Sequence, residues 1–344
     1  RLQIDEGVLG MLLLCIGIGS LLTMPLSGIA AARFGCRRVL AVVASIYALL
    51  LFALSQVASF WLAVPALLAF GAVMGMLDVT VNIQAVIVEK AAGRRLMSGF
   101  HALWSVGGFA GAGAFGIWLS LGFTPVQATL CAAALMFIVL AIFVRYLLPY
   151  GGEKDGAALF AIPRGIVAFV GVICCIAFLV EGAVMDWGGV FLTTLKHMDI
   201  SMAGTGFAVF SAAMLMMRLT GDWLVQRFGG KVIVLGGGIL SAAGFLLVIF
   251  SPWQVLLYAG FFAIGIGSAN IVPIFYSLLG KQKVMPINMA VSAVSTLGYL
   301  GILMGPAVIG FVAHQTSLYV SFGLLAGLVV LQILIAGYIY RKIL

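Results

Sequence analysis

From Val39 to Val88 the chain carries one charged side chain, Asp78, and the rest of the sequence is built the same way. A helix needs about 20 apolar residues to cross a bilayer. Runs of that kind recur at about 7–31, 39–56, 61–87, 97–120, 125–148, 164–193, 203–226, 232–250, 253–279, 285–313 and 317–340. Only 8% of residues are charged and 64% are hydrophobic. A soluble domain carries roughly 25% and 45–50% respectively, so no soluble core absorbs this much apolar surface. The class that follows is an all-α polytopic membrane protein, because hydrocarbon leaves a lone backbone segment no hydrogen-bond partner except itself.

The breaks between runs are polar or rich in Gly and Pro: RFGCRR, SQVASF, VEKAAGRR, SLGFTP and the longer PYGGEKDGAALFAIPR. The net charge of +8 does not read as a nucleic-acid surface, since the basic residues fall in short loops. Alternate connections hold Arg33, Arg37, Arg38; Lys90, Arg94, Arg95; Arg145, Lys154, Arg164; Arg227, Lys231; Lys281, Lys283; and Arg341, Lys342. The intervening connections hold only Arg1 and Lys196. The basic set is expected in the cytoplasm of a cell whose inner membrane the chain spans, with the C-terminus inside. Cys15, Cys36, Cys131, Cys174 and Cys175 lack zinc-site spacing and read as apolar fillers. The polar opening RLQIDEG does not read as a targeting segment. No cofactor, metal or nucleic-acid partner is expected, and a monomer in the lipid bilayer is.

The chain also repeats itself. SGIAAARFGCRRVL (27–40) lines up with DWLVQRFGGKVIVL (222–235), with RFG at 33–35 against RFG at 227–229. Gly75 and Asp78 then fall opposite Gly267 and Asn270, and Ser105, Gly108 and Gly111 opposite Ser295, Gly298 and Gly301. The second copy has six spans and the first five. A first helix missing before residue 1 is expected.

Two six-helix halves joined by a cytoplasmic linker resemble the layout of the major facilitator superfamily. The resemblance implies a pseudo-symmetric fold with eleven of twelve helices present: an N-terminal half at 1–148, a linker at 149–163 and a C-terminal half at 164–344. Gly28-Ile-Ala-Ala-Ala-Arg33-Phe-Gly35-Cys-Arg37-Arg38 is similar to the family's loop signature, in which an acid precedes the first arginine; here that position is Ala32. The resemblance implies a gating or structural role for Arg33 and Arg37. LDVTVN (77–82) is similar to a segment of the fucose-permease branch. MSGFHALWSVGG (97–108) and LVEGAVMDWGGVFL (179–192) resemble a bacterial inner-membrane subgroup often called YbjJ-like.

A charge at mid-bilayer costs at least about 2.5–3.5 kcal/mol, so such residues face a cavity or a partner and often carry function. Four acids lie within spans: Asp78, Glu181, Asp186 and Asp222. Asp78 stands 11 residues before Glu89, about 16 Å deep at about 1.5 Å per residue. It reads as a coupling-proton carrier; the structural alternative is a fixed pair with Asn82 or His101. Glu181 is the second proton-coupling candidate, and Asp186 reads as an outer cap or gate. Arg218 and Asp222, four apart on one helical face, read as a structural ion pair in a gating loop. Asn82, His101, Trp104, Asn270, Asn288, Ser292 and Tyr299 are candidate solute contacts, with Trp187 as a further wall residue. Neutral amides and hydroxyls suit a polyhydroxylated ligand. GGFAGAG (107–113) lacks the Lys-Ser/Thr of a phosphate loop and reads as a close helix-packing face.

The expected function is therefore secondary transport of a small, sugar-like solute by alternating access, coupled to protons. The alternatives are a drug or metabolite efflux antiporter and a transport-dead sensor or scaffold on the same fold. GILMGPAVIG (301–310) resembles a drug-antiporter signature on a different helix, which weakens the efflux reading. An enzyme using Ser98, His101 and Asp78 lacks a nucleophile elbow and leaves the repeat unexplained, so no enzymatic activity is expected.

Overall fold

In a computed structural model, the structure describes residues 6–152 and 162–343, with side chains from residue 12 to residue 342. Most of the linker expected at 149–163, residues 153–161, lies outside the described residues. Every long element is a helix: α1 Glu6–Phe34, α2 Cys36–Leu54, α3 Phe60–Ala92, α4 Met97–Ser120, α5 Pro125–Phe143, α6 Ile166–Val190, α7 Thr205–Phe228, α8 Gly230–Phe250, α9 Gln254–Ser268, α10 Ile271–Leu279, α11 Ile287–Gln315 and α12 Leu318–Ile343. Counting α9 and α10 together, eleven spans among the described residues are long and apolar enough to cross a membrane.

Local chemistry sets the ends. Between α1 and α2 the chain turns at Gly35 (φ 80°, ψ 151°), and between α7 and α8 at Gly229 (φ 81°, ψ 147°). These are the glycines of the two RFG copies, so the repeated letters encode one turn that only glycine adopts without strain. At α5, Thr124 accepts from Gln127 N–H while Gln127 accepts from Thr124 N–H, a reciprocal cap followed by Pro125 at the first helical position.

The described chain forms two compact units. The first comprises Arg1–Ala91, Trp104–Ile162 and Met285–Thr296; the second comprises Ala92–Leu103, Pro163–Val284 and Leu297–Leu344. In the first, Gly71 and Gly75 let α3 meet α1 backbone to backbone at Ile16 and Ser20. Ser20 Oγ then donates to Gly71 O (2.7 Å) and Thr23 Oγ1 to Ala72 O (2.6 Å), satisfying hydroxyls that lipid cannot. The second unit centres on Phe191, Phe210, Phe245, Phe261 and Phe322, with Phe191 and Phe322 stacked at 4.2 Å. Gln332 Nε2 ties α12 to α6 through Ile173 O (2.9 Å).

Candidate functional site

A proline builds the polar cluster of the second unit. Pro273 has no N–H, so it cannot close the helical bond to the carbonyl four residues earlier, that of Ala269. The helix breaks there, between α9 and α10, with Asn270 at φ −104°, ψ 3°. The freed Ala269 carbonyl accepts from Arg218 Nε of α7 (3.3 Å). Asn270 Nδ2 donates to Met217 O (3.1 Å), while its buried Oδ1 has no hydrogen-bond partner among the described residues. Non-helical backbone at membrane depth occurs where it lines a cavity or is covered by protein, and such breaks are where transporters bind ions and solutes.

Arg218 is buried, and its Nη2 lies 3.7 Å from Glu181 Oε2 of α6. At that distance the pair attracts by charge without a well-formed hydrogen bond. Glu181 retains 31% exposure, so one partner is held dry and the other can be reached. This corrects the expected use of Arg218 and Asp222 together. The carboxylate of Asp222 accepts from Ser98 N–H (3.0 Å) and Gly99 N–H (2.8 Å), capping the start of α4. Sequence spacing found the shared face; it could not see that α6 supplies a carboxylate to Arg218 while the N-terminus of α4 takes the carboxylate of Asp222. Gly221, between them on α7, admits no side chain, because a Cβ would strike Asn270 Oδ1 and Ser98. The ring of His101 meets that of Tyr276 edge-on at 6.0 Å.

In the first unit Asp78 sits midway along α3 and is partly exposed. Among the described residues its carboxylate has no hydrogen-bond partner. Asn82 Nδ2 donates to the main-chain oxygen of Asp78 (3.0 Å), an intrahelical bond that leaves the carboxylate aside. Asn288 and Ser292 are fully buried at the start of α11. Asn288 Nδ2 donates to Gly28 O (2.9 Å) and Ser292 Oγ to Met24 O (2.6 Å). These two side chains clasp α1 rather than face a solute, because the α11 start packs directly on Gly28. Arg37 donates to Leu147 O and Arg145 O, both at 2.8 Å, tying α2 to the chain after α5.

Trp104 is 69% exposed on α4, and Asp186 is exposed near the end of α6. Trp187 Nε1 donates to Pro306 O (3.2 Å), so this wall candidate holds α11. Tyr299 is partly buried on α11. On the face expected to pack closely, GGFAGAG, a Cβ on Gly107, Gly108, Gly111 or Gly113 meets nothing within 4 Å among the described residues.

Repeated turns, a broken helix and charges held inside spans mark the described chain, and its sequence relatives supply the family. The Major Facilitator Superfamily pattern matches residues 170–342. An uncharacterized MFS-type transporter of Yersinia pestis is 46% identical over 329 residues, 95% of this chain and 85% of that protein. The chain belongs to the major facilitator superfamily. Among solved structures, the E. coli fucose:proton symporter superimposes with a TM-score of 0.76 at 13% identity, covering 97% of this chain and 91% of that one. A proton:xylose symporter gives 0.73 at 14%, covering 96% and 86%. Likeness at such identity establishes the shared fold.

Proposed function

We propose that this superfamily member is a proton-coupled secondary transporter of a small, sugar-like solute, working by alternating access of its two halves across a bacterial inner membrane. The observation that carries the reading is Asp78: a carboxylate midway along a membrane-spanning helix, without a hydrogen-bond partner among the described residues. A permanently charged group there is costly, so its natural use is to take up and release a proton as water and solute reach it. Glu181, one-third exposed beside buried Arg218, is a second carboxylate whose pairing can change with protonation. Support for the solute class comes from Asn270 at the α9–α10 break, whose buried Oδ1 has no hydrogen-bond partner among the described residues, and from the two sugar:proton symporters that share the fold. The loop arginines and lysines support a cytoplasmic C-terminus and halves meeting near residues 149–163.

The reading includes a helix that precedes residue 1. Gly298 and Gly301 of α11 pack on α6, the first helix of the second half, at Phe178 and at the Cys175 carbonyl. Their repeat partners on α4, Gly108 and Gly111, have open space where the equivalent helix would lie.

Proteoliposomes under an imposed inward proton gradient, offered L-fucose or D-xylose as probes, test the coupling. Gradient-driven accumulation is expected to be lost in Asp78→Asn while solute counterflow persists. Gradient-driven uptake of unchanged pH dependence in Asp78→Asn overturns the proposal.

A further inference from the structure

The first unit carries a second polar feature that transport of a neutral solute does not use. A pocket of about 380 Å³ opens where α1 turns into α2, lined by Arg33, Phe34, Arg37, Arg38 and Tyr150. Its floor is backbone on backbone. A Cβ at Gly35 would strike Pro149 O, and one at Gly151 would strike Ala31 O, so the turn and the segment after α5 interlock. The first N–H groups of α2 are already used, Arg37 N on Leu148 O (2.8 Å) and Cys36 N on Tyr150 O (3.4 Å). What the pocket offers is therefore guanidinium, not a helix terminus.

Arg37 spends Nε and one Nη2 donor on main-chain carbonyls, leaving the remainder of its five N–H groups for another acceptor. Arg33 lies 5.3 Å over the ring of Phe34, and both Arg33 and Arg38 are exposed. Among the described residues, no carboxylate pairs with any of the three. Ala32, the residue before Arg33, supplies no countercharge. Phe34 and Tyr150 are 49% and 54% exposed at the same rim. Exposed aromatics at a span end sit in the headgroup layer of a bilayer, where a soluble anion has no use for them. Arginine forks match phosphate oxygens in geometry as well as charge.

We propose that this pocket holds a phosphate-bearing anion, and that its source is the phosphodiester headgroup of an anionic phospholipid in the cytoplasmic leaflet. The leaflet rests on the orientation proposed above; the chemistry of the pocket does not.

Native mass spectrometry of the detergent-solubilised protein, with phosphatidylglycerol or phosphatidylcholine added, reads the site directly. Phosphatidylglycerol is expected to be retained in preference to phosphatidylcholine. Arg33→Gln with Arg38→Gln is expected to lower that retention on the order of tenfold, as two basic groups at an anionic surface should. Arg227→Gln with Lys231→Gln removes the same charge from the repeat-related turn and is expected to change it little. Equal loss in the two double variants, or equal retention of the two lipids, overturns the proposal. Inorganic phosphate that displaces phosphatidylglycerol at millimolar concentration assigns the pocket to a soluble compound and overturns the lipid assignment. Lipid retention in detergent is indifferent to solute uptake, so its failure leaves the transport reading standing.

Discussion

Helices α4 and α11 are repeat partners, with Ser105, Gly108 and Gly111 in one answering Ser295, Gly298 and Gly301 in the other. On α11 each of these glycines is filled by a neighbour: the Phe178 ring at Gly298, the Cys175 carbonyl at Gly301, and further along the Trp187 ring at Gly310. On α4 the same letters look into open space from Gly107 through Gly116. The first turns differ as well. α4 offers its backbone N–H groups to the Asp222 carboxylate, whereas α11 sends the Asn288 and Ser292 side chains to α1 carbonyls. With the RFG turns in register, Asp222 and Gly28 occupy equivalent places. One repeat has thus solved the same junction twice, once with a carboxylate accepting and once with an amide donating. Small residues encode where a backbone is to approach; they do not encode which groups will close the joint.

The sharpest way to break the comparison is to fill both glycine faces. Gly301→Leu drives a side chain into the α6 backbone, which cannot step aside, and is expected to cost about 3 kcal/mol. Gly111→Leu should stay within about 0.5 kcal/mol, as at an uncrowded surface. Thermal denaturation in detergent measures both. In a chain extended before residue 1, a Gly111→Leu cost rising to that of Gly301→Leu would show that a preceding helix covers α4. An unchanged small cost would remove that helix from this face.

Smaller effects separate the two junctions. Asp222→Ala strips the acceptor from two N–H groups at a helix start and is expected to cost about 2 kcal/mol, the upper range for a cap. Asn288→Ala removes the side-chain donor to the Gly28 carbonyl and should cost about 1 kcal/mol. A larger loss at Asn288 than at Asp222, in the same denaturation assay, would reverse the ranking of charged and neutral clasps.

How much of this was legible in the letters varies with the kind of contact. The span expected at 97–120 is α4, Met97–Ser120, and the span at 61–87 falls within α3, because apolar length alone decides what crosses a bilayer. The RFG repeat was readable because both copies need a left-handed glycine. The partner of Arg218 was not readable. Spacing within one helix pointed to Asp222, but Glu181 arrives from another helix whose rotation no local pattern reports. Asn288 and Ser292 looked like a solute wall because an amide is equally apt for a ligand or a carbonyl. The break at Asn270 had a signal that went unused: Pro273 stands four residues past Ala269, and its repeat counterpart in unbroken α3 is Val81.

That last contrast yields the finest test. Pro273→Val copies the α3 residue into α10 and restores an N–H able to reach Ala269 O. The stability change should be small, about 1 kcal/mol or less, since one proline penalty is relieved while a settled break is disturbed. The consequence for Arg218 is more specific. Its Nε now competes with a backbone donor for Ala269 O, so the guanidinium is held by Glu181 with less support from the backbone. Uptake in proteoliposomes should fall more than thermal stability does, with the change seen mainly in the maximal rate if the pair acts during the conformational cycle. Unaltered uptake in a stably folded Pro273→Val would mean that Arg218 is positioned without the Ala269 carbonyl, and that the break in the second copy serves packing rather than transport.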